Sequence, residues 1–361
     1  MIFTSYPKPT FVKSKKKILR KISKIIDDGN YINSKEVNTF EKNFAKYIGV
    51  KYSASVGNAT DALFLSLKSL DIGNGDEVIT VSHTATATLT AIMRTGAKPQ
   101  LVDIDEENFN INIQNVEKKI TIKTKAFIVV HLYGQSCDMN KMLALSKKYK
   151  VPIIEDCSQA AGSSFKNKKL GSIGIMGCFS FFPTKNLSSI GDGGCIVSDN
   201  KKIVSKIKSL REYGWDKYRN SKFIGINSRL DEIHAGILNI KLQELDEDNL
   251  QRRRIASTYN KKIINKKFIL PTESKDSYHI YHHYVVRIKN RDTFIEYMKK
   301  NKIYLGIHYR LPVHKQHILK KRNFYLKITE KVSKEIVSLP IFIGLKIKDQ
   351  NKIIGLINRF K

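Results

Sequence analysis

Between residues 61 and 155 two kinds of apolar pattern take turns along the chain. Residues 61–70 place Ala62, Leu63, Leu65, Leu67 and Leu70 on a helical period, which stops before Gly73-Asn74-Gly75. Residues 77–81 then read as a strand, 86–93 as a helix, and 100–104 and 126–130 as strands. Residues 138–149 follow as a helix with Asp138 placed to cap it, and 151–155 as a strand. Strands and helices in this rhythm bury their apolar faces in a sheet covered on both sides, so the fold class is α/β. In such sheets ligands collect beyond the carboxyl ends of the strands. The loops after Val81, Val130 and Glu155 are therefore where chemistry is expected.

The rhythm extends in both directions. Residues 16–26 carry a helical pattern at Ile18, Leu19, Ile22, Ile25 and Ile26. Beyond Gly225 the texture changes to one long polar–apolar helix over 229–259, then a strand over 281–288 and a helix over 291–301. At about 150 residues per domain the 361-residue length suits two domains, and a smaller second one is expected over 250–361 after a larger one over 1–249.

Charge and cysteines narrow the class of function. The net charge of +31 would ordinarily raise nucleic acid as a partner. Yet only 13 of the 64 basic residues are Arg, the residue that reads bases and grips phosphate, and the Lys residues are spread along the whole chain. A basic nucleic-acid-binding protein is kept only as a rival reading. The longest charge-free stretch, residues 78–93, is sixteen residues with six Thr or Ser, too short and polar for a span of about 20 apolar residues. No basic and apolar leader opens the chain, so the expected place is the cytoplasm and not a membrane. Cys137, Cys157, Cys178 and Cys195 include no Cys-x-x-Cys pair, and no metal site is expected from them. His314-Lys315-Gln316-His317 reads as the start of a surface helix without a third metal ligand.

Four short stretches carry chemistry. Gly57-Asn58-Ala59-Thr60-Asp61 opens a helix, where free amides and a hydroxyl suit an anion, although the same turn also serves as a plain cap. Asp156 stands just past a buried strand, where a carboxylate needs either a cation or a helix start to face. Lys185 lies between the aromatic run Phe179-Ser180-Phe181-Phe182 and the turn Gly191-Asp192-Gly193-Gly194; desolvation there would leave a nucleophilic amine. Asn227-Ser228-Arg229-Leu230-Asp231-Glu232 reads by itself as a helix start.

In this order and spacing the stretches resemble the DegT/DnrJ/EryC1/StrS family of pyridoxal 5′-phosphate (PLP) sugar aminotransferases over nearly the whole chain. Gly73-x-Gly75-Asp76-Glu77, His131-Leu132-Tyr133-Gly134-Gln135, Glu155-Asp156-x-x-Gln159-Ala160 and Phe179-Ser180-Phe181-x-Pro183-x-Lys185-Asn186 all fit its pattern. The resemblance implies PLP-transferase fold type I, aspartate aminotransferase-like, with a large mixed-sheet domain and a smaller α/β domain. It implies that Lys185 holds the cofactor as a Schiff base and shuttles the α proton, and that Asp156 keeps the pyridine nitrogen protonated. Gln159 would meet the ring hydroxyl, and His83 would lie in the loop covering the ring face. Ala59, Thr60 and Ser180 would bind the phosphate, joined by Asn227 from the other subunit of a homodimer with shared sites.

Narrower features resemble the branch acting on nucleotide-linked 3-keto-6-deoxyhexoses: Arg211-Glu212-Tyr213-Gly214-Trp215, Lys217-Tyr218-Arg219 and Gly306-Ile307-His308-Tyr309. Arg219 would then suit the nucleoside diphosphate, and His308 and Tyr309 the sugar. Phe182 stands where that branch commonly has Tyr. The implied reaction moves an amino group from L-glutamate, through pyridoxamine 5′-phosphate, to C3 of a dTDP-linked sugar for surface polysaccharide. A 4-keto nucleotide sugar or a keto-inositol is the alternative acceptor.

Overall fold

A computed structural model describes residues 1–319 and 324–361. Seven strands build the central sheet: β1 Tyr52–Val56, β2 Glu77–Val81, β3 Lys98–Val102, β4 Thr124–Val130, β5 Ile153–Asp156, β6 Met176–Ser180 and β7 Gly194–Ser198. Their order across the sheet is β1-β7-β6-β5-β4-β2-β3. β7 alone runs against the rest, pairing antiparallel with both β1 and β6. The sequence of β4, TKAFIVV, is buried at every position but Lys125, as a parallel strand covered on both faces requires.

Alternation along β6 assigns its two faces. Phe179 and Phe181 point to Phe44 and Phe40 of helix Lys35–Ile48, with ring centroids 4.9 and 5.2 Å apart. Cys178 faces the other way, 3.2 Å from the Ser66 hydroxyl of helix Ala59–Ser69. That helix starts where Asn58 accepts the amide of Asp61 at 2.8 Å. It comes unusually close to β7, because a Cβ on Gly194 would lie 2.5 Å from the Asn58 carbonyl carbon. Only glycine admits this approach.

A second core gathers Ile255, Tyr259, Tyr284, Phe294, Met298, Leu339 and Ile353. Here strand Tyr284–Arg287 pairs antiparallel with Ile336–Leu339. The chain's first residues join this part, Ile2–Phe3 lying parallel to Ile303–Tyr304. The division expected between residues 249 and 250 falls inside the continuous helix Leu245–Lys262.

Several boundaries differ from the sequence reading. The long helix expected over 229–259 is two, Glu232–Leu242 and Leu245–Lys262. At the break the Glu244 carboxylate takes the Lys241 ammonium at 2.5 Å and the Ser14 hydroxyl at 2.7 Å, pinning the bend to the N-terminal segment. The strand expected over 281–288 is confined to Tyr284–Arg287, because Tyr281 has φ +49° and the His282 amide donates to the Tyr133 carbonyl instead. The edge strand expected over 100–104 starts earlier, at Lys98.

Candidate active site

The ends of β5 and β6 and the loop leading to β7 converge on one cleft of about 280 Å³. Asp156 is the last residue of β5 and is buried. Its Oδ1 accepts the Ser158 amide at 3.1 Å and the Ser158 hydroxyl at 2.6 Å, and its Oδ2 accepts the Thr88 hydroxyl at 2.9 Å. Lys185 enters from the loop after β6, and among the described residues no acceptor takes its ammonium. Burial pulls the Lys185 ammonium down to about 8, against the pull of the Asp156 carboxylate, which holds it up. The amine is thus partly free near neutral pH. Ala59, Thr60 and Ser180 line the same cleft, and the first-turn amides of Ala59 and Thr60 are left over once Asn58 has capped Asp61.

Gln159 is fixed in one orientation. Its Oε1 accepts the Tyr133 amide at 2.7 Å, which forces its Nε2 to donate to the Tyr309 hydroxyl at 3.0 Å. One N–H of Gln159 remains. Burial, with the Asp156 charge, raises the Tyr309 phenol well above its ordinary range, so Tyr309 stays neutral and keeps a proton to donate. Phe182 lines the cleft mouth and is 47% exposed.

Four of the residues singled out in the sequence lie outside this lining. His83 is fully buried one layer behind, its Nε2 2.9 Å from the Tyr133 hydroxyl, while Thr84, Ala85 and Thr88 face the cleft instead. His83 thus stands one layer behind the loop that the resemblance places over the ring face. Burial lowers the His83 imidazole to about 4. His308 also sits behind Tyr309: its ring stacks on His283 at 3.8 Å, its Nδ1 is 2.9 Å from the Ser338 hydroxyl, and its carbonyl accepts the Tyr133 hydroxyl. Asn227 and Arg219 are exposed on the chain's own surface, Arg219 with its guanidinium 5.5 Å from the Trp215 ring.

Some side chains escaped the sequence reading. Thr88 and Ser158 grip Asp156; for Thr88 the one available signal was the six hydroxyls in the charge-free stretch 78–93. Asn186, beside Lys185, donates to Asn249 at 2.7 Å and lies 2.9 Å from His282 Nδ1, tying the lysine loop to the second core. His314 is not a surface residue. It is buried in the short turn Val313–Lys315, 2.6 Å from the Ser82 hydroxyl and 3.1 Å from Glu330. Among the described residues one buried trio could hold a metal, His131, Glu155 and Cys157. The Glu155 carboxylate is already filled by His131 Nε2 and the amides of Gly171, Ile173 and Gly174, which leaves no open position.

The arrangement fits PLP on its own terms. A free amine without an acceptor suits an aldehyde, uncapped helix amides suit a phosphate, and a buried carboxylate suits a protonated ring nitrogen. A mostly parallel sheet with one reversed strand, a lysine in the loop before that strand and a carboxylate at a parallel strand's end define a PLP-dependent transferase of fold type I. The chain belongs to the DegT/DnrJ/EryC1/StrS aminotransferase family, whose sequence pattern matches residues 12–358. It is 42% identical over 346 residues to the dTDP-3-amino-3,6-dideoxy-α-D-galactopyranose transaminase of Aneurinibacillus thermoaerophilus, covering 96% of this chain and 95% of that one. The crystal structure of DesV from S. venezuelae, in complex with a ketimine intermediate, superposes with a TM-score of 0.97 at 31% identity, covering 99% of this chain and 97% of that one. NtdA from Bacillus subtilis, with bound cofactor PMP, gives 0.91 at 25% identity over 96% of this chain and 81% of that one. No helix among the described residues is long and apolar enough to cross a membrane.

Proposed function

We propose that this enzyme transfers an amino group from L-glutamate to C3 of a dTDP-linked 3-keto-6-deoxyhexose, giving a dTDP-3-amino-3,6-dideoxyhexose for surface polysaccharide. The observation that carries this reading is the 42% identity, across 96% of the chain, to a transaminase named for such a product. Four buried, unpaired cysteines suit work in the reducing cytoplasm.

Bound PLP supplies an electron sink for negative charge developing at a carbon next to nitrogen. The chain supplies the rest. The amides of Ala59 and Thr60, with the Thr60 and Ser180 hydroxyls, hold the phosphate at the start of helix Ala59–Ser69. Asp156, oriented by Thr88 and Ser158, holds a proton at the ring nitrogen. The spare N–H of Gln159 meets the ring hydroxyl. Lys185 Nζ takes the proton from the donor's α carbon and returns it where the acceptor sugar needs it, a role suited to an amine poised near pH 8. Tyr309 offers its hydroxyl to the sugar from beside Gln159, and Phe182 bounds the sugar's entry. His308 acts from behind by holding Tyr309 in place, and Arg219 meets the diphosphate. Asn227 is exposed and outside its own cleft; in the proposed homodimer it is the partner subunit's Asn227 that reaches the phosphate.

Incubating the purified enzyme with PLP, L-glutamate and a panel of 3-keto and 4-keto dTDP sugars, then locating the new nitrogen by NMR, tests the reading. Nitrogen at C3 is expected. Nitrogen at C4 would replace the proposed acceptor by its 4-keto counterpart, and no amino sugar from any acceptor would overturn the proposal.

A further inference from the structure

We infer that Thr88, backed by Thr84, is a positioning residue for Asp156, two hydroxyls in series that hold the carboxylate aimed into the cleft. The inference rests on the reading of Asp156 as the partner of the cofactor's ring nitrogen. Its starting point is a hydroxyl in an unexpected place. A threonine in a helix ordinarily spends its hydroxyl on the carbonyl one turn back. Thr88, in the first turn of helix Thr86–Arg94, spends it on Asp156 Oδ2, 2.9 Å away and 68 residues along the chain. Thr88 is fully buried and Thr84 nearly so.

Chemistry sets the direction of the chain. An ionised carboxylate only accepts, so Thr88 must donate to Asp156. Its oxygen is then free to accept, and Thr84 Oγ1 stands 3.0 Å from it. Thr84 therefore donates to Thr88, and Thr88 to Asp156. On the opposite side Ser158 gives Oδ1 its amide and its hydroxyl. The carboxylate is held from both oxygens, which fixes its plane and its direction. A carboxylate so oriented would face the ring nitrogen of bound PLP, the position from which it would support the cofactor's electron sink.

The turn carrying Thr84 is itself anchored from far along the chain. The Val313 amide donates to the Ser82 carbonyl at 3.1 Å, and the His314 amide to the Ser82 hydroxyl at 3.2 Å. Segment 312–315 thereby fixes the path of residues 82–85, and with it the first hydroxyl of the series. His314, lying in this anchor, touches neither Asp156 nor the cleft.

The test uses the full-length enzyme loaded with PLP and the variants Thr88→Val, Thr88→Ser, Thr84→Val and Asp156→Ala. Four quantities are read: kcat and KM for transamination, the PLP dissociation constant by equilibrium dialysis, and the melting temperature without cofactor. Thr88→Val is isosteric and removes only the donor, so loss of a hydrogen bond to a charged group should lower kcat roughly ten- to hundredfold, with KM changed less than about threefold. The same variant should weaken PLP binding, and Thr88→Ser should restore both. Thr84→Val should cost less, because Thr88 can still donate. In the Asp156→Ala background, where the acceptor is gone, adding Thr88→Val should leave the PLP dissociation constant unchanged. A Thr88→Val enzyme within about twofold of wild type in kcat and PLP affinity overturns the inference, since a charge-assisted bond is worth more than that. So does equal damage from Ser and Val, or an undiminished penalty in the Asp156→Ala background. If Asp156→Ala itself works like wild type, the reading of Asp156 falls first and the inference with it. If Asp156→Ala is crippled and Thr88→Val is not, the inference alone falls.

Discussion

Lys185 sets the most direct expectation, because its surroundings place the amine near pH 8. Covalent capture of PLP by cofactor-free enzyme needs the neutral amine, so its rate follows that fraction. With a midpoint of 8 the neutral fraction is about 9% at pH 7, about 50% at pH 8 and about 91% at pH 9. Capture should therefore quicken about tenfold between pH 7 and 9 and then level off. An ordinary lysine near 10.4 would instead quicken about a hundredfold over the same span with no plateau. The sign of a second perturbation is also fixed. Burial is the cause that lowers the amine, and the Asp156 carboxylate partly opposes it. Asp156→Asn removes the opposing charge, so the midpoint should move below 8 and the plateau should arrive earlier. Stopped-flow absorbance of the lysine-bound cofactor, across pH 6 to 10 on both proteins, measures this. A wild-type midpoint above pH 9.5 would show that the Lys185 amine is solvated after all. An unchanged midpoint in the Asn variant would show that Asp156 does not act on it, and an upward one would refute the sign.

Three more outcomes follow from the same geometry. Lys185→Ala should abolish multiple turnover and leave the circular dichroism spectrum and melting temperature near wild type, since among the described residues no acceptor takes that ammonium. Mixing Lys185→Ala with Asn227→Asp should, after verified subunit exchange, restore activity toward about a quarter of wild type, because half of a random mixture is heterodimer with one intact site of two; no gain would mean that each site is built within one chain. Tyr309→Phe takes the acceptor from Gln159 Nε2 and a donor from the cleft, so catalytic efficiency with the sugar should fall by roughly 1–3 kcal/mol in transition-state terms while the rate of PLP capture holds.

Much of this molecule was legible in the sequence wherever a property is local. Apolar period is set by neighbours a few residues apart, so the strands at Glu77–Val81 and Thr124–Val130 and the helix at Met139–Tyr149 stand close to where the periodicity places them. The same holds for Asp156 and Lys185, which come to the cleft because strand ends in such a sheet share one edge. Residue type and spacing also sufficed to mark the turn at Asn58 and Ala59 as a helix start. What lies beyond local pattern was decided by packing across long separations. A helix-forming run over 229–259 has nothing in its own periodicity to break it; Ser14 and Glu244, 230 residues apart, bend it. His83 and Thr84 are adjacent and differ little in local signal, yet one turns to Tyr133 and the other to Thr88 because Val313 and His314 hold Ser82 between them. His314 is polar and would stand in water on composition alone, but Ser82 and Glu330 give its two ring nitrogens partners that make burial tolerable. A buried polar side chain goes where its hydrogen bonds are satisfied, and those partners are chosen by the fold as a whole.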